Sequence, residues 1–89
     1  MSELSNLSAS ANRKFVAAQL HWSQYAGSDG QAAGFNHDVD GITASVKRQM
    51  DNVHASTGVD VSTAKSDLDA LAAAVKQAGA VVPPAATIE

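Results

Sequence analysis

The chain has 89 residues, no cysteine, 4% aromatic residues and a net charge of -3, which fits one domain with a thin stability margin. Its cationic residues are dispersed as Arg13-Lys14, Lys47-Arg48, Lys65 and Lys76, so no basic face accumulates and nucleic-acid binding is disfavoured. Without cysteine there are no disulfide staples or thiolate metal sites, and no apolar run approaches the roughly 18 residues of a membrane span.

The opening segment is rich in serine, and Ser2, Ser5, Ser8 and Ser10 each suit a helix cap. Leu4, Leu7, Ala11, Phe15, Ala18, Trp22 and Tyr25 then share one stripe about 80° wide, which predicts a first helix over about residues 3–26. Phe15, Trp22 and Tyr25 are three of the four aromatic residues and the expected core anchors of this element. A second, weaker stripe of Ala9, Val16 and Leu20 lies roughly 120 to 180° away around the same helix. Such a helix wants apolar neighbours on two sides, and Val16 and Leu20 are the expected contacts to a partner.

Gly27, Ser28, Asp29 and Gly30 form a breaker cluster with Gly34 soon after, which predicts a loop of about nine residues. The glycines lack the Gly-Lys-Ser/Thr ending of a phosphate loop. Phe35 would pack as a hydrophobic staple if Asn36 or a neighbour is the N-cap. The second helix is expected over about residues 36–56, with Ile42, Val46 and Met50 as core anchors flanked by Val39 and Val53. Gly41 inside it costs about 1 kcal/mol against Ala, so the helix starts later or another backbone comes close there. Gly58 suits the C′ position.

The third helix, over about residues 60–78, carries Val61, Ala64, Leu68, Leu71, Val75 and Ala78 in alternating steps of three and four, with Leu68, Leu71 and Val75 as core anchors. Asp60 or Ser62 caps its start, Lys65 and Asp69 pair at i,i+4, and Gly79 ends it. Pro83-Pro84 then forbids continuation and pushes Val82 into an extended conformation. Residues 1–79 thus read as a single helical domain and 80–89 as an extended docking tail, with Val81 and Val82 reaching a neighbour. The fold class is all-α: a three-helix bundle, or a helical hairpin plus a third helix.

Candidate chemistry is sparse. His21, His37 and His54 are the only imidazoles; no metal-ligand spacing joins them, and Asp38 and Asp40 beside His37 complement a helix dipole. There is no Gly-x-Ser-x-Gly elbow and no paired carboxylate standing out, so neither catalytic residues nor a cofactor are expected. Arg13 and Lys14 alone do not make a membrane-surface helix. The expectation is a soluble, non-enzymatic structural or adaptor protein without a cleaved signal, whose partner is protein, itself or other subunits. A phage or virion component and a secreted filament suit it. The alternative of a monomeric regulatory module stays open.

Length, Ala and Ser content and the absence of Cys also resemble the small secreted helical hairpins of the WxG family. Tyr25-Ala26-Gly27-Ser28-Asp29 is similar to their Tyr-x-x-x-Asp/Glu export pattern, while Trp22 is followed by Ser23 and Gln24 in place of a Trp-x-Gly turn. The resemblance implies a hairpin that dimerises and is exported without a standard signal.

Overall fold

The structure, a computed structural model, describes residues 3–80. Three helices follow one another: α1 is Glu3–Ser23, α2 is Gln31–Thr57 and α3 is Ser62–Ala78. They run up, down and up. The central helix is α2, against which both α1 and α3 pack more extensively than against each other.

The apolar stripe of α2 runs through Phe35, Val39, Ile42, Val46, Met50 and Val53 in steps of three and four; all are buried except Ile42, which is half-buried against the core. From α1 come Ala11, Phe15 and Ala18, with Leu4, Leu7 and Trp22 packed against them. From α3 and its flanks come Val61, Leu68, Ala72, Val75 and Ala80, with Ala64 and Leu71 half-buried. No polar or charged residue is buried among the described residues, so burial of apolar surface is the main favourable term.

Several expectations need correction. α2 begins at Gln31, and residues 31–35, expected as loop, are helical. Gly30 provides the break, with φ 86° at the N-cap, and its carbonyl accepts the Gly34 N–H at 2.8 Å. Asn36 is therefore an interior helical residue and not the N-cap. Phe35 is not a staple outside the helix but one of the largest fully buried side chains. The α1 helix ends at Ser23; the chain turns on through i,i+3 bonds from the N–H groups of Gln24, Tyr25 and Ala26 to His21, Trp22 and Ser23. Tyr25 therefore leaves the helical stripe and is 46% exposed, not a core anchor. Ala78, on the expected α3 seam, is exposed, whereas Ala80, expected to open the tail, is buried in the core.

The N-cap of α3 is Val61 and not either polar neighbour. Asp60, one residue earlier, accepts from the Ser62 N–H at 3.0 Å and from its hydroxyl at 2.8 Å. Lys65 does not pair with Asp69 along the helix. It reaches Asp51 on α2 at 2.8 Å, while Asp69 accepts from Lys47 at 3.0 Å. A third pair joins Lys76 to Asp40 at 2.7 Å. All three pairs cross from α2 to α3, and in each the two residue numbers add to the same total, as antiparallel helices in a single register require.

Gly41 lies inside α2 on its exposed side, where an added Cβ would meet nothing within 4 Å. Neither expected reason for a glycine holds there.

Candidate docking face

The α1 helix buries the stripe centred on Ala11, Phe15 and Ala18, and this fixes which residues face outward. Ala9, Arg13, Val16 and Leu20, in steps of four, three and four, form an outer seam, and all four are exposed. Val16 is 46% and Leu20 43% exposed, the two large apolar side chains on α1 itself that the fold leaves so open. Ala17 and Gln24, also exposed, border the seam. Within the described residues nothing covers it.

The end of α1 is held firmly. The Trp22 ring lies over Gly34, where a Cβ would come within 2.7 Å of Trp22 Cζ2 and Cζ3 and closer still to Cη2. Its indole Nε1 donates to Asp38 Oδ2 at 2.6 Å. The Gln31 amide donates both to the Trp22 carbonyl at 2.9 Å and to the Ala80 carbonyl at 3.2 Å, so one side chain ties together the end of α1, the start of α2 and the residue following α3. His21 and Tyr25 add rings at 5.2 and 5.6 Å centroid distances from Trp22. The Tyr25 to Asp29 pattern lies in the turn between α1 and α2, where the Ser28 hydroxyl donates to the Tyr25 carbonyl.

Charge divides unevenly over the surface. Lys47, Lys65 and Lys76 are each neutralised by an aspartate across the α2–α3 contact. Arg13, Lys14 and Arg48 take part in no ion pair among the described residues. Arg13 stands on the outer seam itself, one turn from Val16.

The remaining candidates do not gather into a site. His21 sits among the rings at the end of α1, His37 is exposed on α2, and His54 donates from Nδ1 to the Val59 carbonyl at 2.8 Å in the α2–α3 turn. Asp38 is engaged by Trp22 and Asp40 by Lys76. Among the described residues no group of three or more His, Asp or Glu converges as metal ligands do. Two open clefts flank the start of α1, one of about 220 Å³ against the end of α2 and one of about 400 Å³ against the start of α3. At exposed Asp60 the carboxyl is held below its ordinary value by the Ser62 N–H and then by the Ser62 hydroxyl.

Val81 and Val82, the other expected partner contacts, lie outside the described residues. Among the described residues no helix is long and apolar enough to cross a membrane. Sequence reasoning placed Ala11 and Val39 on the apolar stripes without counting them among the anchors, read Phe35 as a staple outside α2, and missed the Gly34–Trp22 contact altogether. The signal for Phe35 was present: the α2 stripe extends back from Val39 to it at the same spacing. Comparison with protein-family models, curated proteins and solved structures gives no match.

Proposed function

We propose that the chain is a non-enzymatic structural or adaptor subunit that docks into a larger protein assembly through the outer seam of α1. The observation that carries this reading is the pair Val16 and Leu20, one turn apart and nearly half exposed on a helix whose opposite face already fills the core. Fully burying such side chains is worth about 1.5–3 kcal/mol each, of which the isolated chain leaves roughly half unused. A small, cysteine-free particle component, in a virion or a secreted filament, suits this form.

A photoreactive benzophenone amino acid placed at Val16 or Leu20, in protein made by its native cells, tests the proposal. A discrete cross-linked polypeptide is expected from both positions, and none from the same group at Ala73, which is exposed on α3. Absence of a product at both Val16 and Leu20, or equal labelling at Ala73, contradicts it.

A further inference from the structure

Resting on that docking face, we infer that its occupant is a helix of a different, acidic polypeptide, carrying apolar residues against Val16 and Leu20 and a carboxylate against Arg13. Steps of four, three and four through Ala9, Arg13, Val16 and Leu20 give the seam of a helix pair, with a cation at one of its contact positions. A polar residue at a single seam position selects its partner at some cost in stability. A guanidinium brought into a helix interface without a counter-charge is desolvated and uncompensated, so the mate of Arg13 must be anionic.

This chain does not supply that mate from a second copy of α1. A parallel in-register pair sets Arg13 against Arg13. An antiparallel pair centred between Val16 and Leu20 sets it against Ser23 or Gln24, neither of which carries charge. The acidic residue of α1 is Glu3. An antiparallel register that brings Glu3 to Arg13 carries Val16 and Leu20 past the start of the other α1. Nor do the other helices serve: Asp40, Asp51 and Asp69 already hold lysines, Asp38 holds the Trp22 indole, and Asp67 on α3 shares its exposed face with Thr63, Ala70 and Ala74, which offer no large apolar side chain to Val16 and Leu20. Small Ala9 on the seam and Ala17 beside it let a helix come close.

The test uses two helix-forming peptides of about 20 residues. They share a leucine seam and differ in bearing Glu or Lys at the position facing Arg13. Binding to the full chain is followed by fluorescence anisotropy at low ionic strength, and amide shifts locate the contact. Wild type is expected to prefer the Glu peptide by about tenfold, with shifts centred on residues 9–20, and Arg13→Glu to reverse the preference. Arg13 is exposed, so the variant keeps its fold, which circular dichroism checks.

Equal affinity for the two peptides, no binding of either, or an Arg13→Glu variant indistinguishable from wild type overturns the inference. So does a dimer of the unmixed chain that Leu20→Asp dissolves; that result leaves the docking face standing and replaces its occupant with a second copy. Adsorption to anionic lipid vesicles without peptide preference, or contact by residues 81–89 of the same chain, likewise removes the acidic helix. Undiminished binding of the Glu peptide to a Val16→Asp, Leu20→Asp double variant rejects the docking face as well.

Discussion

Two glycines on α2 show how the same residue type answers to different physics. At Gly34 an added methyl would enter the Trp22 ring, and that ring cannot step aside without giving up its bond to Asp38. Gly34→Ala is therefore expected to destabilise by about 1–3 kcal/mol, the usual cost of overpacking, despite the better helix propensity of alanine. At Gly41 the same change meets open space, and Gly41→Ala is expected to stabilise by about 0.4–1 kcal/mol. Urea unfolding of the two variants checks the opposite signs; two shifts of the same sign would show that the Trp22 contact does not govern Gly34. At Asp60 the folded carboxyl titrates below its unfolded value near 3.8, because the Ser62 donors favour the ionised form. Its stabilisation is thus present above that value and lost as pH falls through the lower folded one. Asp60→Ala should lower the thermal midpoint at neutral pH and make no difference in strong acid; an equal loss at both pH values would assign the effect to something other than charge.

Between α2 and α3, Asp40, Lys47 and Asp51 face Lys76, Asp69 and Lys65. Sliding α3 by one turn either way sets Asp51 against Asp69 or Lys47 against Lys65. Sliding it by two turns sets Lys47 against Lys76 or Asp40 against Asp69. The pairs are part-exposed, so each adds only about 0–1 kcal/mol, and their larger effect is to disfavour wrong registers. Lys47→Asp should lose up to about 1 kcal/mol, and Asp69→Lys on top of it should recover most of that. Absence of recovery in chemical unfolding would mean that the two side chains do not interact.

At this same scale the sequence was most legible: the steps of three and four placed the apolar faces of all three helices. The start of α2 was hidden because Gly30 and Gly34 look alike locally, yet one breaks the helix and the other makes room for a ring twelve residues away. The cross-helix ion pairs were hidden too, because Lys65 and Asp69 also sit at the local i,i+4 spacing. Only the tertiary register shows that both point across to α2. On α1 the second stripe was legible as Ala9, Val16 and Leu20, while Arg13 as a member of the seam emerged once the buried face was fixed.

For the molecule as a whole, a closed core and an open α1 face stand side by side. Phe15, Phe35, Val39, Val46 and Met50 are almost wholly withdrawn from solvent, whereas Val16 and Leu20 are not. Two exposed aliphatic residues alone are ordinary for a surface. Set one turn apart on a helix seam with Arg13, which forms no ion pair among the described residues, they are the ground on which we propose a docking face for another helix. The measurement that tests this most directly is the native mass of the species carrying the chain in extracts of its producing cells, wild type against Leu20→Asp. Wild type is expected in a particle much heavier than the 9.1 kDa chain, and Leu20→Asp, its fold intact, as the free chain. A wild type that runs at the free-chain mass, or a Leu20→Asp variant that assembles as well as wild type, would contradict it.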